Sequence, residues 1–253
     1  MTNCYMCNRP ATSREHVPPR SLFPEQKDSG GEDYRKNLIT VPSCREHNSR
    51  KSADDEFLMV SLAGIIGNNS IGLRHKFSKV NRSIKRSANR LLWEVFNDQK
   101  VYVVNLDKNQ FLDLIWGKPD QLRLHRCFDR IGRGVFLHHF GERFRGEIKT
   151  MLGYLRYEDA KARNFSDFVR DKVAMEMVSK EELGENPKVF FYQVSDIDQL
   201  GLFTIRLCFY GGVDVYCAFL PEGSEVPRNF AFEFAKMGVK TVLTLGDKEY
   251  EIG

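Results

Sequence analysis

Two short knuckles carry the strongest chemical signal in the chain. Cys4-Tyr5-Met6-Cys7 sets two thiols with two residues between them, and Cys44-Arg45-Glu46-His47 repeats the spacing with an imidazole as its second member. Thiolate and imidazole are the donors zinc(II) prefers, and two such knuckles supply the tetrahedral Cys3His set of a structural site. Four protein donors leave no position for a water, so this expected zinc is not the seat of a reaction. A small two-strand, one-helix unit has little core, so the ion should supply a large share of its folding free energy.

These ligands need particular elements to hold them. Residues 1–13 read as a cysteine knuckle and 14–17 as a short strand stopped by Pro18-Pro19, which cannot donate to a ladder. A polar loop carrying Gly30-Gly31 follows, then a second strand over Asn37–Val41 closed by Pro42. Ser43, three residues before Glu46, reads as the N-cap of a helix running to about Leu62. On that helix Cys44 and His47 share a face, whereas Asn48 is turned by about 100° away from it.

Further along, Gly67-Asn68-Asn69 breaks the chain before a helical stretch in which Phe77, Val80, Ile84, Ala88 and Leu91 form one apolar stripe. Val101–Val104 reads as a strand, with helices expected near 120–140 and 165–183. Strands are expected at Val189–Val194, Phe203–Tyr210, Val213–Phe219 and Val239–Leu245, and Gly211-Gly212 serves as a hairpin turn. The expected class is α+β: a zinc-stabilised module of two strands and a helix over 1–62, a basic amphipathic helical segment over 63–100, and a mixed helix and antiparallel-sheet region over 101–253.

Composition narrows the setting. Hydrophobic residues make up 42% of the 253, enough for a real core and too many for a disordered chain. No run of about 18 apolar residues occurs, and Met1–Pro10 lacks the apolar stretch of a secretion signal, so neither membrane insertion nor export is expected. In the cytoplasmic setting this implies, thiols stay reduced and closely spaced cysteines act as ligands. Cys127, Cys208 and Cys217 lack ligand spacing and are expected to be core residues. Residues 1–100 hold 17 Lys+Arg against 11 Asp+Glu, whereas 101–253 hold 21 against 23. The positive charge travels with the cysteines, which points the N-terminal part at a polyanion.

Between and after the knuckles lie Arg14-Glu15-His16-Val17-Pro18-Pro19-Arg20-Ser21, Asn37-Leu38-Ile39-Thr40-Val41 and Asn48-Ser49-Arg50-Lys51. Together with the cysteines these residues, from Cys4 to about Glu56, resemble the HNH endonuclease family with zinc knuckles. The resemblance implies that His16 is the general base that activates a water, that Glu15 and Asn48 ligate a catalytic Mg(II) or Mn(II), and that Asn37 braces the loop holding His16. General chemistry agrees: a hard cation on oxygen ligands stabilises the charge that builds on a phosphodiester's leaving oxygen, and imidazole accepts a proton near neutral pH. The family more often has Asp where this chain has Glu15. Glu15 and His16 would face opposite sides of a regular strand, so sharing a site requires the strand to end or bulge there.

The expected activity is His-activated hydrolysis of DNA, duplex rather than single-stranded, and such chains are often bacterial restriction or anti-phage effectors. Arg20, Arg50 and Lys51 flank the expected cleft, and Lys79, Arg82, Arg86 and Arg90 offer a basic face to the nucleic-acid backbone. His125, His138 and His139 are expected to pack rather than bind metal. The region after residue 100 carries no nameable motif, and a homodimer contact or an accessory protein is its expected role. The competing expectation is a zinc-stabilised nucleic-acid-binding module without catalysis.

Overall fold

The computed structural model describes residues 2–49, 52–106, 110–224 and 241–252. Strand β1 (Ser13–His16) pairs antiparallel with β2 (Thr40–Ser43), in the register Ser13 with Ser43, Arg14 with Pro42, Glu15 with Val41 and His16 with Thr40. Helix α1 (Arg45–Ser49) follows at once, and α2 (Ser52–Ala63) lies beyond the undescribed residues 50–51. Strand β2 starts three residues later than the sequence suggests, because Asn37 sits in a turn with φ of 50°, a left-handed conformation that breaks extended backbone. Pro42 is tolerated because β2 is paired on one side only and this residue faces outward, its carbonyl accepting from Tyr5 N at 2.9 Å, so the ladder with β1 does not need the missing N–H. Ser43 is accordingly a strand residue and not the helix cap, and Glu46 reaches Arg9 instead of closing a capping box.

The expected single basic helix is four pieces: α3 (Ser70–His75), a π-helical turn (Lys76–Val80), α4 (Asn81–Arg86) and α5 (Arg90–Val95). Asn69 starts it, its side chain accepting from Ile71 N and Gly72 N at 3.0 Å. Ala88 and Asn89 both take positive φ and break it. The π turn advances the register, so Val80, Ile84 and Leu91 are buried while Phe77 and Ala88 are exposed.

Strands β3 (Phe96–Leu106) and β4 (Gln110–Pro119) form a hairpin, and α6 (Gln121–Phe140) follows, capped by Asp120, whose side chain accepts from Arg123 N, and stopped by Gly141 at φ of 76°. Strands β5 (Gly146–Leu152), β6 (Leu183–Asn186), β7 (Phe190–Val194), β8 (Phe203–Phe209) and β9 (Val213–Pro221) make an antiparallel sheet in the order β5-β9-β8-β7-β6. Helix α7 (Ala160–Met177) sits between β5 and β6 in sequence, and β10 (Thr241–Leu245) pairs with β11 (Lys248–Ile252). The expected start of β10 at Val239 falls outside the described residues.

Alternation decides the sheet faces. Ile205, Leu207 and Phe209 with Val213, Val215, Cys217 and Phe219 are all buried toward α6, whose Leu124, Cys127, Phe128, Ile131 and Val135 recur at three- and four-residue steps. Tyr216, on the other face, joins Val173 and Met177 of α7 in a smaller cluster. Gly211 supplies φ of 68° for the β8–β9 turn, and a Cβ on Gly212 would lie 2.2 Å from the Gly67 carbonyl oxygen. One apolar core runs from Cys4, Tyr5 and Val41 through Leu58 and Phe128 to Phe219, so it crosses the divisions at 62 and 100. Helix α6 meets the residue that follows β1 closely: a Cβ on Gly134 would stand 2.7 Å from both Val17 methyls.

His75 is buried where α3 meets the loop after β1, its Nε2 donating to Ser21 O at 3.1 Å. Burial, reinforced by Lys79, holds its pKa down at about 4 against a usual 6.5, so the ring is neutral in the fold. The unfolded ring takes its proton first, so this contribution is whole above about pH 6.5 and is lost as pH falls toward about 4. Between pH 7 and 4.5 the native chain should lose about 2 kcal/mol more stability than His75→Gln, as read by urea unfolding.

Candidate metal centre and catalytic residues

The two knuckles close on each other. Cys7 Sγ and Cys44 Sγ are 3.9 Å apart, and His47 Nδ1 lies 3.5, 3.6 and 3.3 Å from the sulfurs of Cys4, Cys7 and Cys44. A zinc ion with bonds of about 2.0–2.3 Å sets tetrahedral edges of roughly 3.5–3.8 Å, close to these distances. The Cys3His cluster could therefore hold a metal ion such as zinc through Nδ1 of His47. The first knuckle is shaped by Cys4 N donating to Arg9 O at 2.9 Å and Cys7 N to Cys4 O at 3.3 Å. The second spans the junction of β2 and α1, where the backbone amide of His47 is the chief cause that lowers the Cys44 thiol's pKa. Cys127, Cys208 and Cys217 are buried, and burial pushes each of their thiols up.

Glu15 and His16 leave opposite faces of β1, since the ladder runs through both without a bulge. Glu15 is 4% exposed: Oε1 accepts from Tyr5 Oη at 2.9 Å and Oε2 from Ser43 Oγ at 3.2 Å. Burial, and then the nearby Glu15 carboxylate, push the Tyr5 hydroxyl well above its usual pKa, so it stays a donor. Asn48 lies on the Glu15 side, its Nδ2 donating to Ser13 Oγ at 2.8 Å, and Ser13 Oγ donates to Ser43 O at 3.2 Å. His16 shares the other face with Arg14, whose guanidinium donates to Thr40 Oγ1 and Thr40 O at 2.9 Å. Asn37 occupies the turn before β2. Glu15 and Asn48 are thus joined through Ser13 and Ser43, and His16 leaves the other face of β1. Tyr5, Ser13 and Ser43 carry no spacing signal in the sequence; the β1–β2 register reveals Ser13 and Ser43, and the bond from Tyr5 N to Pro42 O places Tyr5 beside them.

Much of the expected basic face is spent within the chain. Arg82 forms a two-pronged pair with Asp28 at 2.9 and 2.6 Å, Lys79 lies 3.8 Å from Glu25, and Arg90 pairs with Glu94 at 3.4 Å. Burial is the chief cause that holds Lys79 down at about 8, and its side chain is only 18% exposed, which leaves little of it for a phosphate to reach. Arg20 and Arg86 are exposed, the latter donating to Ser83 Oγ at 3.2 Å, while Arg50 and Lys51 lie outside the described residues. Nucleic-acid contact through Lys79, Arg82 and Arg90 would have to compete with these carboxylates. His125 touches Thr150, and His139 packs on Phe140 and Tyr192.

The comparisons add no relative. No family model, no curated protein and no solved structure matches the chain. Among the described residues no helix is long and apolar enough to cross a membrane.

Proposed function

We propose that the chain is a metal-dependent endonuclease acting on DNA, its N-terminal part a zinc-stabilised ββα-metal unit. The supporting observation is that the Cys3His cluster fastens a two-strand antiparallel ribbon to the helix that follows, with Glu15 and Asn48 on one side of β1. A carboxylate and an amide oxygen are donors that suit Mg(II) or Mn(II), which would polarise a phosphodiester and stabilise its leaving oxygen. Glu15 can accept from Tyr5 and Ser43 and still offer lone pairs, because a carboxylate has about four acceptor sites. Asn48 would have to aim its Oδ1, not the Nδ2 that meets Ser13, toward Glu15. His16, at the last position of β1, would take the proton of the attacking water. The two faces of the ribbon are both within reach only at its end, so the scissile phosphate would lie beyond His16.

The opposed facing of Glu15 and His16 favours a second reading, a zinc-stabilised nucleic-acid-binding module without catalysis. Supercoiled plasmid separates the two. Nicking that needs added Mg(II) or Mn(II) is the expected result. Retarded migration of plasmid and RNA with no cut strand, by folded and zinc-loaded chain, would leave only the second.

A further inference from the structure

We infer that Tyr5 and Ser43 are positioning residues that tie the placement of the Glu15 carboxylate to the closure of the Cys3His cluster. The inference rests on the reading of Glu15 as ligand of a hard cation.

Both of these donors to Glu15 are chain neighbours of a cluster thiol: Tyr5 follows Cys4, and Ser43 precedes Cys44. Both side chains are buried, at 2% and 0% exposure, so water does not replace them cheaply. Their backbones are fastened to each other and to β1. Tyr5 N donates to Pro42 O at 2.9 Å, Thr12 N to Ser43 O at 3.0 Å, and Ser13 Oγ to the same carbonyl at 3.2 Å. A third neighbour completes the set, since Asn48 follows His47 and its amide reaches Ser13. Residues adjacent to three of the four ligands therefore converge on one hydrogen-bonded group that includes Glu15.

A metal ion at the cluster fixes the backbone of Cys4 and Cys44, and through one further residue each it fixes the two hydroxyls. Hydrogen bonds weaken steeply with small displacements, so opening the cluster by about 1 Å would release the carboxylate. Outer partners of this kind orient ligating carboxylates, and losing one typically costs 10–100-fold in ion affinity. Tyr5→Phe removes one oxygen and no apolar volume, which isolates the hydrogen bond from the packing.

Mn(II) binding to the zinc-loaded full chain, without DNA, reads this directly through the loss of the free-ion EPR signal. Tyr5→Phe is expected to stay folded with one zinc per chain and a melting temperature lowered by a few degrees, yet raise the Mn(II) dissociation constant by about 10–100-fold. Ser43→Ala should shift it the same way and serves if Tyr5→Phe does not fold. Native Mn(II) affinity in both variants, with affinity lost in Glu15→Gln, would overturn the inference and leave the role of Glu15 standing. Mn(II) binding that is unchanged in Glu15→Gln, or absent from the native chain, would overturn both.

Discussion

Replacing His16 by alanine should lower the rate of plasmid nicking by about 10²–10⁴-fold, the usual contribution of a general base. The substitution is a fair test because His16 ends β1 on the half-exposed face, away from the buried set of Tyr5, Glu15 and Ser43. Zinc content and melting temperature should stay native. The pH profile adds a readout that misfolding would not produce. An imidazole base acts only when neutral, so the native rate should climb with pH and level off, and the variant should lose that limb. Single-turnover nicking over a pH series measures it. Equal rates and equal profiles would remove His16 from the chemistry.

Cys44→Ser should have the largest effect on the fold. Cys44 is 4% exposed and its sulfur stands 3.3 Å from His47 Nδ1 and 3.9 Å from Cys7 Sγ, so the exchange removes a soft donor from the middle of the four. A hydroxyl is a poor substitute for thiolate on zinc. Loss of a structural metal belongs with the changes that cost 4–5 kcal/mol or more, which in a chain of this size lowers the melting temperature by about 10 °C or more. The damage should spread beyond the knuckles, because Cys4, Tyr5 and Val41 belong to the same core as Phe128 and Phe219. Calorimetry with metal analysis reads both consequences. A Cys44→Ser chain with native zinc and native melting would exclude the cluster as a zinc site.

The elements that sequence announced are those with local punctuation. Helix α6 lies between Asp120 and Gly141, the residues whose side chain and backbone cap it. The β8–β9 turn falls at Gly211, where positive φ is required. Cys127, Cys208 and Cys217 are in the core, as their lack of ligand spacing implied. Four strands escaped notice: β4, β5, β6 and β11. Strand β5 is paired by the distant β9, whereas β4, β6 and β11 join neighbouring strands, and the Gly246-Asp247 turn before β11 was a local signal that went unread. The start of β2 was misplaced because Asn37 adopts a left-handed turn that its type tolerates but does not demand. The helical break at Ala88-Asn89 was hidden for the same reason.

For the site, the cysteine and histidine spacing was legible because four ligands in two knuckles constrain each other. What surrounds them was not. Tyr5 meets Glu15 across ten positions and Ser43 meets it across 28; the second contact follows from the strand register and the first from how the knuckle packs on β2. The charge count over residues 1–100 was accurate, yet it said nothing of Arg82 reaching back 54 residues to Asp28. Net charge reports what a segment carries, and pairing decides how much remains for a partner.

The measurement that bears most directly on the metal centre is cobalt(II) substitution of the purified full chain, followed by absorption spectroscopy and metal counting. One ion per chain should appear, with the ligand-field and sulfur charge-transfer bands of a tetrahedral site bearing three thiolates, and both should vanish in Cys44→Ser. A spectrum of octahedral, oxygen-bound cobalt, or no stoichiometric uptake at all, would contradict the placement of Cys4, Cys7, Cys44 and His47 around one ion.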